Sequence, residues 1–225
     1  VSSASIVSKR FLAAFGLLSG LCLVLFSFRV IATGSFRYWF IPENLALAWL
    51  ALSFSWLLVT SLSKHRWLSW QNLALSVVWL VLLPNTWYVL TDFLHVYGTG
   101  EISQLYDIVM MSLLVICGFG LGFASLYLIH LEFLKRLPNR GAHIIVGGII
   151  LLSSFGIYLG RDLRWNTWDV VSNPGGIILN VSDRVVSPLE HPRAINVTVL
   201  FFILLSVLYV AIWVGTGPHK VRRNR

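Results

Sequence analysis

Of the 225 residues, 57% are hydrophobic and only 12% are charged, about half the roughly 25% charge of a soluble domain; the mean hydropathy is +0.78. This balance excludes a single soluble domain, a disordered chain and a disulfide-stapled module. The net charge of +8 does not point to nucleic acid, because the basic residues sit in short clusters between long apolar runs, which is the pattern of membrane orientation.

A bilayer core about 30 Å thick takes roughly 20 apolar residues of helix. Six runs meet that length: Phe11–Ala32, Pro42–Leu62, Trp67–Leu90, Leu105–Leu134, Ala142–Leu159 and Ile195–Val214. None alternates with the period of two that marks a membrane barrel strand. The expected fold is therefore all-α: a polytopic helical bundle of about six transmembrane helices in one membrane domain. The first run follows Lys9 and Arg10 but exceeds the apolar length of a signal peptide, so it is expected to stay as a first helix. Cys22 and Cys117 lie inside apolar runs with no second ligand nearby and read as small core residues.

Orientation follows from lysine and arginine. Six spans put the N-terminus, two loops and the C-terminus on one side, and those segments hold eleven of the 17 basic residues, including every lysine. The bias places both termini in the cytoplasm, with the protein multi-pass in a bacterial cytoplasmic (inner) membrane. Eight of the nine acids then fall on the outer side, with Glu132 the inner one. Trp67 and Trp70 mark the inner edge; Trp39, Trp87, Trp165 and Trp168 mark the outer edge, where amphipathic rings are favoured. His65, His130, His143, His191 and His219 read as interfacial or solvated.

The third run ends in Leu83-Pro84-Asn85-Thr86-Trp87-Tyr88-Val89-Leu90-Thr91-Asp92-Phe93-Leu94-His95. If the segment after Pro84 is an α-helix, Asn85, Tyr88, Asp92 and His95 share one face. A polar stripe at a helix end turns toward the bundle or a water-filled pocket, not toward lipid. The fourth run opens with Tyr106-Asp107, the second with Pro42-Glu43-Asn44, and the fifth closes with Gly160-Arg161-Asp162-Leu163-Arg164-Trp165-Asn166-Thr167-Trp168-Asp169. Spans of similar length bring these ends to similar depth, so one outer layer is expected to hold them. The long connection from Arg161 to Pro192 is expected to form short interfacial helices, broken at Pro174-Gly175-Gly176 and at Pro188.

The Leu-Pro-Asn-x-x-Tyr segment with its Thr91-Asp92 and His95, the Tyr106-Asp107 pair and the block from Gly160 to Asp169 resemble the bacterial DUF1361 membrane family. The resemblance runs from about Glu43 to Val214, with Thr167 standing where serine is common. It implies a multi-span membrane protein of unknown function and supplies no catalytic role.

From the residues alone, several readings of the outer layer stand side by side. In the structural one, Arg161 and Arg164 pair with Asp92, Asp107, Asp162 or Glu43, and Asn85 satisfies backbone groups freed by Pro84. In the recognition reading, Asn85, Tyr88, Arg161, Arg164, Trp165 and Trp168 bind an anionic lipid or envelope-related ligand, with guanidinium forks for phosphate or carboxylate and flat rings, Trp87 among them, for an acyl, prenyl or sugar moiety. An enzymatic form of that reading gives His95 the role of general base, oriented by Asp92 or Asp107. A metal reading rests on Asp92 and His95, one turn apart, with Asp107, Glu43 or Asp169 completing an N/O shell, which nearby arginines oppose; the sequence names no cofactor. A fourth reading makes the chain a subunit or assembly factor of a larger membrane complex, its small residues in the fourth and fifth runs permitting close helix approach. The partners expected are thus membrane lipid and other membrane-protein subunits, with no nucleic acid.

Overall fold

The computed structural model describes residues 8–97, 102–163, 165 and 172–216. Among these it is helical, with no strand: α1 (Lys9–Thr33), α2 (Phe40–Ser61), α3 (Trp70–Tyr88) running into a 3-10 segment (Val89–His95), α4 (Gln104–Arg136), α5 (Asn139–Asp162), α6 (Pro174–Val186), a 3-10 turn (Pro188–Glu190) and α7 (Pro192–Thr216). Six of these helices are long and apolar enough to cross a membrane: Lys9–Thr33, Phe40–Ser61, Trp70–His95, Gln104–Arg136, Asn139–Asp162 and Pro192–Thr216. They coincide with the six runs, because length and hydropathy alone fix a span. The protein is a multi-pass membrane protein. The chain divides into two compact units, Val1–Glu132 and Phe133–Arg225.

In the first unit the helix ends are set by local chemistry. The Ser8 hydroxyl caps α1 by accepting from the Phe11 N–H at 3.1 Å, satisfying one of the amides that a helix start leaves open. Gly34 stops α1 in the left-handed region, φ 67°, and its N–H donates to the Val30 carbonyl, the usual use of a residue with no Cβ. Pro84 does not end α3; the helix continues to Tyr88. The Asn85 amide donates weakly to the Val81 and Leu82 carbonyls, at 3.5 and 3.4 Å, in the turn where proline disturbs the ladder. Beyond Tyr88 the chain tightens to a 3-10 helix, and the Thr91 hydroxyl donates to the Tyr88 carbonyl at 2.8 Å.

The core of this unit gathers Cys22, Tyr38, Ile41, Leu45, Val89, Met110, Met111, Leu114 and Cys117. Both cysteines are free and buried. Polar contacts also cross-link its helices: the Trp79 indole N–H donates to Ser125 Oγ at 2.6 Å, and Ser125 Oγ donates to the Ala51 carbonyl at 3.1 Å, joining α2, α3 and α4. The Trp49 indole reaches Ser19 Oγ at 3.0 Å and joins α2 to α1. On α4, Gly118 faces the Thr86 carbonyl and Val89, and Gly122 faces the Thr86 side chain and the Trp87 indole, with no room for a methyl at either. This close approach buries Trp87 completely, against Phe123 at 5.3 Å. Trp87 therefore lines neither an outer interface nor an exposed ligand wall, as its place in the sequence suggests. His130 is also buried rather than solvated.

In the second unit α5 packs on α7. The long connection forms α6 as an amphipathic helix starting at Pro174, with Asn173 Oδ1 accepting from the Gly176 N–H at 3.1 Å. The Trp165 ring lies against Gly176 with no space for a side chain there. Arg184 holds α6 to α5 by donating from Nε to the Tyr158 hydroxyl at 3.1 Å, and Asp162 pairs with Arg193 at the start of α7.

Candidate functional site

One end of the first unit carries the α1–α2 connection, the 3-10 segment and the start of α4, and the acids converge there. Asp107 sits about one turn inside α4, and Arg29 about one turn before the end of α1, so the two side chains meet at the same depth. Arg29 Nε donates to Asp107 Oδ1 at 2.8 Å and Nη2 to Oδ2 at 3.4 Å, with both side chains nearly inaccessible. The Tyr38 hydroxyl donates to Asp107 Oδ2 at 2.9 Å, and the Arg29 guanidinium lies 4.4 Å from the Tyr38 ring centroid. Burying a carboxylate is costly unless it is paired and hydrogen-bonded; a guanidinium fork and a phenol meet both needs. Burial and the hydrogen bond to Asp107 push the Tyr38 phenol up to about 12.

This changes the expected pairing. Sequence reasoning gives Asp107 to Arg161 or Arg164, whereas Asp107 is held by Arg29. The physical reason is depth: α1 and α4 both have their ends here, so an arginine one turn inside the first helix faces an acid one turn inside the fourth. A signal existed, since an arginine inside an otherwise apolar span needs a partner.

Asp92 and His95 lie together on the 3-10 segment. Three residues per turn stack positions i and i+3, and His95 Nδ1 is 4.0 Å from Asp92 Oδ1. That separation is beyond a hydrogen bond. The Asp92 side chain is 3% exposed and that of His95 is 44% exposed. Asn44, near the start of α2, donates from Nδ2 to Asp92 Oδ2 at 2.9 Å. The four-residue stripe expected for a uniform α-helix is thus divided. Asn85 and Tyr88 belong to the α-helical part, and the tighter pitch turns Asp92 roughly 120° from Tyr88 rather than about 40°.

Tyr38 ties the two carboxylate positions together, because its hydroxyl also lies 3.5 Å from the His95 carbonyl. Arg37 approaches the same carbonyl, donating from Nη2 at 3.0 Å. Its guanidinium lies on the exposed Tyr97 ring, 3.7 Å from the centroid, and 5.3 Å from that of Tyr38. Among the described residues Arg37 has no carboxylate partner, and it is half-buried. The first unit therefore brings together Asp92, His95 and Asp107, with Arg29, Arg37, Tyr38 and Asn44 added by the fold.

The arrangement favours some chemistry over other kinds. Asp107 is committed to a cation and a phenol, which suits an anchor better than a proton acceptor or a metal ligand. Among the described residues no three His, Cys, Asp or Glu side chains are grouped to hold a metal ion. His95 combines a buried carboxylate behind it with a partly open ring, and Arg37 offers a cation with spare donors beside it. In the second unit Arg161 is partly buried in the last turn of α5, and Trp165 follows it. Arg164 and Trp168 lie outside the described residues.

No curated protein and no solved structure matches the chain. A family model described as a protein of unknown function, DUF1361, matches residues 43–208. That range includes Asn44, Asp92, His95 and Asp107 and leaves out Arg29, Arg37 and Tyr38. The matched residues make up well over half of the sequence, and the chain belongs to the DUF1361 family.

Proposed function

We propose that the polar end of the first unit recognises an anionic group of a membrane lipid or an envelope-related ligand, on the extracytoplasmic side of a bacterial inner membrane, with both termini cytoplasmic. The observation that carries this reading is Arg37. Its guanidinium has five donors, spends one on the His95 carbonyl, and lies against Tyr97, with no acid partner among the described residues. An arginine held by a ring and a carbonyl keeps its charge and most of its donors for a ligand. His95, partly exposed beside it, supplies a ring nitrogen and an aromatic edge. The Arg29–Asp107–Tyr38 group is the anchor that sets this geometry. Arg161, Arg164, Trp165 and Trp168 of the second unit, taken by themselves, offer the same chemistry of guanidinium forks and flat rings, and are proposed as ligand-binding residues in their own right.

The test is retention of lipid by purified protein in neutral detergent, read by native mass spectrometry with phosphatidylglycerol against phosphatidylcholine. Arg37→Gln is expected to lower the retention of one bound phosphatidylglycerol about tenfold, the equivalent of roughly 1.4 kcal/mol, with the unfolding midpoint unchanged. Equal retention by wild type and R37Q overturns the role of Arg37. Arg161→Ala tests the second unit separately, with the same readout.

A further inference from the structure

The opposite end of the first unit holds a cavity of about 310 Å³ where the end of α2 turns back into α3, lined by Leu57, Thr60, Ser61, Lys64, His65 and Leu75. That volume lies at the lower end of the roughly 300–1,000 Å³ of small-ligand pockets. We propose that this cavity seats the head group of an anionic phospholipid, a second lipid contact independent of Arg37.

Three features support the assignment. The lining is graded: Leu57 and Leu75 lie on the span side, and the hydroxyl-bearing Thr60 and Ser61 lead to Lys64 and His65 at the rim. Such a gradient from hydrocarbon to cation matches a phospholipid and not a free ion. The rim is also built rather than loose. The backbone N–H groups of Lys64 and His65 both donate to the Ser61 carbonyl at 2.9 Å, and the buried Asn72 side chain donates to the Arg66 carbonyl at 3.0 Å. Lys64 and His65 are exposed and have no ion-pair partner among the described residues. Finally, the adjoining turn presents Leu68 and Trp70, 82% and 75% exposed, and a tryptophan beside a lysine is the usual anchor at head-group depth. A phosphate diester there meets a lysine with no acid paired to it among the described residues, and its acyl chains run along apolar α2 and α3.

The experiment compares wild type, Lys64→Gln/His65→Gln, Lys9→Gln/Arg10→Gln and Arg37→Gln by native mass spectrometry. Phosphatidylglycerol and phosphatidylcholine are the probes, with glycerol 3-phosphate as the free-phosphoryl competitor. Bound lipids are counted per protein: wild type is expected to hold two phosphatidylglycerols, and K64Q/H65Q to retain one of them about tenfold more weakly. K9Q/R10Q, which removes exposed charge elsewhere in the chain, is expected to keep both lipids; R37Q is expected to lose the other one and keep this one, so that only the combined R37Q/K64Q/H65Q protein loses both. The double variants change exposed side chains, so their unfolding midpoints are expected to match wild type. Equal retention by K64Q/H65Q and wild type overturns the proposal, and an equal loss in K9Q/R10Q overturns it as non-specific attraction. Displacement of the lipid by equimolar glycerol 3-phosphate assigns the cavity to a free phosphoryl compound and overturns the lipid assignment. Loss of one lipid in R37Q with both kept in K64Q/H65Q overturns this proposal and leaves the Arg37 reading intact, and the reverse pattern overturns the Arg37 reading alone.

Discussion

Removing either partner of the Arg29–Asp107 pair is expected to cost the fold more than any other single polar change in the first unit. Asp107 accepts three hydrogen bonds, two from the guanidinium and one from Tyr38, and Arg29 is 1% exposed. Asp107→Leu takes from the buried Arg29 guanidinium a carboxylate that accepts two of its hydrogen bonds. Breaking a buried pair in this way costs about 3–5 kcal/mol; the phenol, left with only a weaker approach to the His95 carbonyl, adds up to about 1 kcal/mol. Arg29→Met leaves the carboxylate with Tyr38 alone and falls in the same range. The double variant R29M/D107L removes both charges of the pair together, so it is expected to lose no more than either single variant. The coupling energy from the cycle is then about 3 kcal/mol, near the top of the range for contacting residues. Reversible unfolding in mixed detergent and SDS micelles, followed by tryptophan fluorescence, measures all four proteins. Additive losses, or single losses below about 1 kcal/mol, refute the reasoning.

Tyr38→Phe removes one charge-assisted hydrogen bond and is expected to cost about 1.5–3 kcal/mol. In the wild type the phenol is held neutral past its ordinary value near 10, so ultraviolet titration should show one tyrosine ionising last, at about pH 12, and absent from Y38F. The sign follows from the raised value: the stability it gives is complete below pH 10 and is lost as pH rises toward 12, so an unfolding midpoint that climbs over that interval contradicts the assignment. Gly122→Ala pushes a methyl into Thr86 and Trp87 and is expected to destabilise by about 1–3 kcal/mol, whereas Gly147→Ala on α5, where the space is open, should be neutral within about 0.5 kcal/mol; equal midpoints for the two would remove the close α3–α4 approach. Asn44→Leu takes away one donor to Asp92 and should cost about 1–3 kcal/mol, read by the same unfolding assay, with wild-type stability counting against that contact.

The spans were legible because a membrane helix is specified by length and hydropathy, quantities that survive any rotation of the helix. The meeting of Asp92 and Asp107 at one end of the first unit was legible for the same reason, since both sit near ends whose depth the spans fix. The partner of Asp107 was not. α1 is apolar nearly all round, so no periodicity tells which face Arg29 shares with the bundle. The tightening after Tyr88 was also hidden, because Pro84 reads locally as a helix boundary while the packed Gly118 and Gly122 keep α3 continuous beyond it. Tyr38 and Arg37 fall in a six-residue connection, Gly34–Trp39, between two helices, where neither spacing nor motif distinguishes a structural residue from a ligand-facing one. Arg184 was similarly lost in a long connection, although it is the residue that docks α6.

The claim on which the rest depends is that the buried Arg29–Asp107–Tyr38 anchor holds Arg37 and His95 ready for an anionic head group. A density map of the protein in nanodiscs containing phosphatidylglycerol measures this directly. Non-protein density is expected within hydrogen-bond reach of the Arg37 guanidinium, with Arg29 still on Asp107. Arg37 turned toward hydrocarbon with no such density, or Asp107 paired with a residue other than Arg29, would contradict it.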